Sequence, residues 1–103
     1  MSFGQIIAEA RKKLGLSQKT LAARIKKEDG EPISPQYLND IERDRRNPPS
    51  EYLIAQFAKE LGLSKDYLLL AAGTVPRDLA AWLSDSDPET IERAFRAFRR
   101  TIK

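Results

Sequence analysis

The chain has 103 residues, a length that fits one domain with at most a small appendage. It contains neither cysteine nor histidine, which excludes disulfides, thiolate chemistry and the residue that most often serves as general base or metal ligand. Eighteen basic against fifteen acidic residues give a net charge of +3, a mildly basic balance that by itself favours an anionic partner only weakly.

The first two predicted helices lie at the N-terminus. Apolar residues recur at helical spacing from Phe3 to Leu14, and Gly15 is placed to end that helix. Ser17 is a suitable N-cap for a second helix, which the pattern extends to about Lys27. The polar segment that follows, with its turn residues, predicts a surface turn.

The third helix is predicted across the stretch from Ser34 to Pro48. Ser34 can cap its first turn, and Pro35 suits the first helical position because its missing N–H is no loss there. Leu38 and Ile41 can share an inward face. A second, wholly polar face is formed by Gln36, Asn39, Asp40 and Arg43.

This polar face has two possible roles. Its amides and carboxylate are donors and acceptors of the kind that read base edges in a DNA major groove, and Arg45 and Arg46 follow where phosphates would lie. A solvated surface helix is the alternative, since polar helix faces are common.

Two further helices complete the first part of the chain. Ser50 is placed to open the fourth helix and Gly62 to end it. The fifth extends from Lys65 to about Ala72 and is apolar enough to be mostly buried, with Tyr67, Leu68, Leu69 and Leu70. A domain boundary is predicted at residues 73–74.

Residues 74–103 are predicted to form a C-terminal extension of two helices. The first extends from Arg77 to Ser84, and Asp87 with Pro88 opens the second, which reaches Ile102. Its apolar stripe can be core that seals the extension onto the first five helices, or a surface for dimerisation or for docking a partner protein. The residues proposed for that interface are Trp82, Ile91, Phe95 and Phe98. With seven helices and no convincing strand, the fold class is all-α.

The order of these signals resembles the lambda-repressor/Cro-like helix-turn-helix family, also called the xenobiotic-response-element family. The resemblance covers residues 3–72. The matching residues are Leu14-Gly15-Leu16-Ser17-Gln18, Leu21-Ala22, Ile33-Ser34-Pro35, Tyr37-Leu38, Ile41-Glu42, Arg46-Asn47-Pro48 and Leu61-Gly62-Leu63-Ser64.

The resemblance implies a five-helix DNA-binding domain over residues 1–73 whose third helix enters the major groove, with two subunits on a palindrome. Carried over by position, the base-reading residues are Ser34, Pro35, Gln36, Tyr37, Asn39 and Asp40. The implied phosphate contacts are Gln18, Lys19, Arg43, Arg45 and Arg46. The resemblance also implies an internal salt bridge between Arg11 and Glu42.

Two features depart from the family pattern. The segment from Lys26 to Pro32 is longer than the tight turn of relatives, and its mixed charge favours solvation over a contact with a flanking phosphate. Asp40 is unusual because a carboxylate near phosphates is repelled unless it accepts a hydrogen bond, for example from a cytosine amino group.

No other motif predicts chemistry. The acidic run from Asp85 to Glu89 lacks the glycine and distant glutamate of a calcium loop, so helix capping is the better interpretation. We therefore expect no catalysis, metal or cofactor. No apolar run approaches the roughly 20 residues of a membrane span, and no signal peptide is evident, so a cytoplasmic, nucleoid-associated location is expected.

The predicted function is a sequence-specific regulator that binds double-stranded DNA, acting as a homodimeric repressor. The alternative is an antitoxin-like or adaptor module whose C-terminal helices bind a regulatory partner protein. Mutations at Gln36 and Asn39 would separate the first function from the second, which depends on Trp82, Phe95 and Phe98.

Overall fold

The computed structural model describes residues 1–102, and within them the chain forms seven α-helices. These are α1 (Phe3–Lys13), α2 (Gln18–Arg24), α3 (Pro35–Glu42), α4 (Glu51–Leu61), α5 (Lys65–Ala71), α6 (Arg77–Asp85) and α7 (Pro88–Thr101). Among residues 1–102, β-type pairing is limited to an isolated antiparallel bridge between Lys26 and Pro32. The predicted all-α class is confirmed, while residue 103, the last of the predicted extension, lies outside the described residues.

The first five helices each begin at a serine. The side chains of Ser2, Ser17, Ser34, Ser50 and Ser64 accept hydrogen bonds from backbone N–H groups in the first turns of α1 to α5. These caps satisfy donors that have no partner inside the helix, so they mark the helix starts sharply. The predicted caps of the second, third and fourth helices are therefore confirmed.

Two predicted helix ends are wrong. The second helix ends at Arg24 because Ile25 has an extended backbone, with its carbonyl oxygen accepting from the N–H of Ile33 at 2.9 Å. The third ends at Glu42, because Arg43 caps it and Asp44 has a φ of 57°. The arginine-rich segment predicted as the end of the third helix is therefore a turn.

The connection between α2 and α3 is an ordered, exposed turn. The N–H of Lys27 donates to the carbonyl oxygen of Glu31 at 2.8 Å, and Gly30 reverses the chain with a φ of 88°. The N–H of Lys26 donates to Gln56 Oε1 on α4 at 3.0 Å, which ties the turn to the domain.

The hydrophobic core is built from α1 to α5 and the turn. Every residue of its buried hydrophobic cluster lies between Phe3 and Leu69. The fully buried large side chains are Ile7, Leu21, Ile25, Leu38, Ile54, Phe57, Leu68 and Leu69. On α5, however, Tyr67 and Leu70 are about half exposed, so the prediction that this helix is mostly buried is wrong for those two positions. One face of α5 is buried and the other faces solvent.

The C-terminal helices contribute no buried side chain. The chain is consequently extended, with a radius of gyration of 15.8 Å, where a compact fold of this length has about 13 Å. The apolar stripe therefore does not seal the extension onto the first five helices. Within residues 1–102, every helix is too short or too polar to span a lipid bilayer.

Candidate nucleic-acid interface

Two buried residues hold α3 in the domain. Leu38 and Ile41 are buried in the core, where α3 packs against α1 and α2. Residues three or four apart share a helix face, so Leu38 and Ile41 mark the buried face of α3, and the opposite face points toward solvent. Gln36 is exposed there, whereas Asn39 and Asp40 are half-buried.

The end of α3 is held by the start of α1. A Cβ atom at Gly4 would lie 2.3 Å from the carbonyl oxygen of Ile41, so a glycine is required at this crossing. The N–H of Gly4 donates to Asp44 Oδ1 at 3.0 Å, and Ser2 Oγ donates to Asp44 Oδ2. These contacts fix the turn that carries the arginines. Sequence reasoning missed this role of Gly4, although a glycine within a helical pattern is a signal of close packing.

The salt bridge that the resemblance implied is present. Arg11 Nε donates to Glu42 Oε2 at 2.7 Å and Arg11 Nη2 donates to Glu42 Oε1 at 3.0 Å, which makes the pair bidentate. The hydrogen bond that Arg11 donates to the Glu42 carboxylate raises the pKa of the guanidinium above its ordinary value. The remaining Arg11 Nη1 donates to the carbonyl oxygen of Leu16, so the pair links α1, the turn between α1 and α2, and α3.

Gln18 continues this network from α2 to α3. Its Nε2 donates to Glu42 Oε1 at 2.9 Å and to Asn39 Oδ1 at 3.2 Å. Asn39 Oδ1 also accepts from Arg43 Nε at 3.3 Å. The amide of Gln18, predicted as a phosphate contact, is thus engaged inside the protein. Sequence reasoning did not find this network, because its members are far apart along the chain.

The negative charge of Asp40 is balanced by side chains of the protein itself. Gln36 Nε2 donates to Asp40 Oδ1 at 3.0 Å, and Arg46 Nε lies 3.8 Å from Asp40 Oδ2. The Arg46 guanidinium also lies over the ring of Tyr37, 5.1 Å from its centroid, in a cation–π contact. These contacts show how the Asp40 carboxylate is accommodated on the surface that is predicted to face DNA phosphates.

The structure joins several members of both predicted sets of DNA-contacting residues around the open face of α3, through contacts among Gln18, Asn39 and Arg43 and among Gln36, Tyr37, Asp40 and Arg46. Ser34, Pro35 and Gln36 are exposed at the start of α3, and Tyr37 is half-buried beside them. Exposed basic side chains follow in the turn after α3, at Arg43, Arg45 and Arg46, and Lys19 is exposed on α2. The proposed interface residues Trp82, Ile91, Phe95 and Phe98 lie on α6 and α7, outside this surface.

This geometry is that of a helix-turn-helix, in which one helix supports a second whose polar face is open to a ligand. A family model described as Helix-turn-helix matches residues 7–68, which is more than half of the chain. The chain belongs to this family, in its xenobiotic-response-element branch, and is a DNA-binding regulator.

The chain is similar in fold, over nearly its whole length, to a solved structure. A chain of the SinR protein/SinI protein complex aligns with a TM-score of 0.56 at 22% identity, covering 96% of this chain and 98% of that one. At this identity the likeness concerns the fold. No curated protein sequence matches the chain significantly.

Proposed function

We propose that this protein is a sequence-specific transcriptional repressor that binds double-stranded DNA as a homodimer, with α3 in the major groove. The observation that carries the proposal is the solvent face of α3, where Gln36, Asn39 and Asp40 lie together beside exposed arginines. In this proposal residues 1–73 bind DNA and residues 74–103 join the subunits. A DNA ligand implies a cytoplasmic, nucleoid-associated protein.

The exposed basic residues support a contribution from phosphates. Arg43 and Arg45 are exposed directly after α3, Lys19 is exposed on α2, and the Arg46 side chain is about half exposed above Tyr37. Each phosphate that they neutralise releases counterions, so affinity falls with a slope of about −0.9 per phosphate in a plot of log K against log salt. Replacing one of them with alanine should weaken binding to all sequences alike.

The exposed extension supports the proposed dimer. Trp82 on α6 and Phe95 and Phe98 on α7 are 44, 46 and 55% exposed, which is unusual for three large aromatic side chains in one short segment. A second copy of the chain presents the same apolar side chains, and a two-fold dimer would carry two α3 helices, as binding to the two halves of a palindrome requires. A dimer over an operator represses by covering the promoter.

The test is selection from a pool of random DNA duplexes at about physiological salt, followed by sequencing. A repressor of this kind should enrich a palindrome with half-sites about one helical turn apart. Gln36→Ala should relax preference at one position in each half-site, at a cost of about 1–3 kcal/mol.

Charge-matched variants separate phosphate contacts from general charge effects. Arg45→Ala and Arg46→Ala should weaken binding to every sequence and reduce the salt slope by about one unit each. Lys59→Ala removes the same charge from α4, outside the proposed surface, and should leave both quantities close to those of the wild type. If Arg45→Ala and Arg46→Ala both retain full affinity, the phosphate assignment is wrong.

The same exposed stripe favours a second function, the binding of a regulatory partner protein. A solved structure with a similar fold is, by its name, a complex of the SinR and SinI proteins. Sedimentation of the purified chain distinguishes the two uses of the stripe. A dimer that Phe98→Asp converts to a monomer supports self-association, whereas a wild-type monomer would assign the stripe to a partner.

A further inference from the structure

We infer that hydrogen bonds within the protein determine which base edges α3 can read, so that Asn39 selects guanine and Gln36 selects adenine. The inference rests on the proposed function and adds the base class at two positions. It depends on which atoms of the two amides are already engaged.

The direction of each hydrogen bond in the network of Arg11, Glu42, Gln18 and Asn39 is set by groups that can only donate or only accept. Arg11 only donates hydrogen bonds and the ionised Glu42 only accepts them. Gln18 must therefore present its Nε2 group to Glu42, at 2.9 Å, and its carbonyl oxygen away from it. The same Nε2 group is 3.2 Å from Asn39, which must present Oδ1 in return.

Asn39 is left with donors on its free side. Its Oδ1 accepts from Gln18 and from Arg43 Nε, and two bonds use both lone pairs of an amide oxygen. Its Nδ2 group makes no hydrogen bond to any residue within 1–102, so two N–H donors remain for DNA. In the major groove guanine presents two acceptors, N7 and O6, whereas adenine presents one acceptor and one donor.

An asparagine ordinarily reads adenine by using both its oxygen and its nitrogen. Here the oxygen is occupied, so the adenine N6 amino group finds no acceptor on Asn39. The unmatched donor makes adenine unfavourable, and guanine becomes the better purine at this position.

Gln36 has the opposite arrangement. Its Nε2 donates to Asp40 Oδ1 at 3.0 Å, and Asp40 can only accept. Gln36 therefore keeps a free oxygen acceptor beside one remaining N–H donor, which matches the N6 and N7 atoms of adenine. Asp40 acts here as a positioning residue, with its charge balanced by Arg46.

The two readers lie one helical turn apart. Three residues of an α-helix rise about 4.5 Å, which is close to the roughly 3.4 Å step between base pairs. We therefore expect the selected guanine and adenine on adjacent or next-adjacent base pairs of each half-site.

The experiment is the same selection carried out with the wild type and with Gln18→Ala. The wild type should prefer guanine over adenine by roughly 5- to 150-fold at the position that Asn39→Ala relaxes. Gln18→Ala frees one lone pair of Asn39 Oδ1, so this preference should fall to within about threefold while preference at other positions is retained. Lys19→Ala, the neighbouring residue on α2, should weaken binding without changing any base preference.

A second variant tests the same idea without removing a side chain. Asn39→Asp can still accept from Gln18 and Arg43 but offers DNA an acceptor in place of the donors. Its preferred base should change from guanine to cytosine, whose N4 amino group is a donor. Circular dichroism of each variant checks that the chain is folded.

The outcomes separate the inference from the proposed function. An enriched site whose preference is the same in the wild type, Gln18→Ala and Asn39→Asp overturns the inference and leaves the DNA-binding function standing. Selection of adenine at the Asn39 position by the wild type also overturns it. The absence of any enriched site for the wild type overturns the proposed function itself.

Discussion

The salt bridge between Arg11 and Glu42 should be the most strongly coupled pair in the domain. The two side chains are only 11 and 5% exposed, and the carboxylate accepts three hydrogen bonds, two from Arg11 and one from Gln18. Glu42→Leu would leave the Arg11 guanidinium buried beside an apolar side chain. Arg11→Met would leave the carboxylate with the Gln18 hydrogen bond and no opposite charge.

The expected magnitudes follow from the burial of both charges. Removing one member of a buried ion pair costs about 3–5 kcal/mol, because the other charge stays desolvated, whereas replacing both by apolar residues is often close to neutral. Each single variant should therefore lower the free energy of unfolding by about 3–5 kcal/mol. The double variant should lose much less than the sum, which corresponds to a coupling energy of at least about 2 kcal/mol.

The measurement is urea denaturation of the wild type, the two single variants and the double variant, monitored by circular dichroism. All four are compared at one protein concentration, because self-association would contribute to apparent stability. Glu9 and Lys13 form an exposed pair on the same helix at 3.5 Å and provide a control. Glu9→Ala should cost less than about 1 kcal/mol. If the two single variants each cost as little as this control, or if their effects simply add, the argument from burial is wrong.

Three further predictions concern the scaffold. Gly4→Ala should destabilise the domain by about 1–3 kcal/mol despite the better helix propensity of alanine, because its Cβ would meet the backbone of α3; equal or greater stability in urea would contradict the close crossing. Gly62→Ala should cost about 1–2 kcal/mol, since Gly62 ends α4 with a φ of 68° although nothing blocks a Cβ there, and an unchanged denaturation midpoint would contradict this. Asp87 is the N-cap of α7, and hydrogen bonds from the Thr90 N–H and hydroxyl lower its pKa. The stabilisation of α7 by this carboxylate is therefore fully present above the ordinary pKa near 3.8 and is lost as the pH falls through the lowered pKa. Helicity measured by circular dichroism should therefore decline in this acid range for the wild type and more weakly for Asp87→Ala.

The helix starts and the buried faces could be predicted because their causes are local. A serine cap, Pro35 at a first helical position and a glycine such as Gly62 act through atoms within a few residues. The apolar spacing of α3 likewise identified Leu38 and Ile41 as its core face. Helix ends were predicted less well, since Ile25 leaves its helix to pair with Ile33, a contact that local propensity does not describe.

The family resemblance predicted which surface faces DNA, but it could not determine how the polar groups on that surface pair with one another. Gln18 was predicted as a phosphate contact, yet its amide donates to Asn39 and Glu42, 21 and 24 residues away. The assignment of Gln18 to phosphate, like the other site assignments, stays a prediction. The acidic run before α7 is accounted for by capping, because Asp87 accepts from the N–H of Thr90 at 2.8 Å.

The helix starts, the inward faces and the residues of the polar face of α3 follow from the sequence alone, because capping and periodicity depend on neighbours along the chain. Three other properties become visible only in the folded chain: which donors on the polar face of α3 remain free, that Gly4 permits α1 to approach α3, and that the aromatic side chains of α7 stay exposed. Those properties depend on distances between helices, and such distances are set when the whole core packs together.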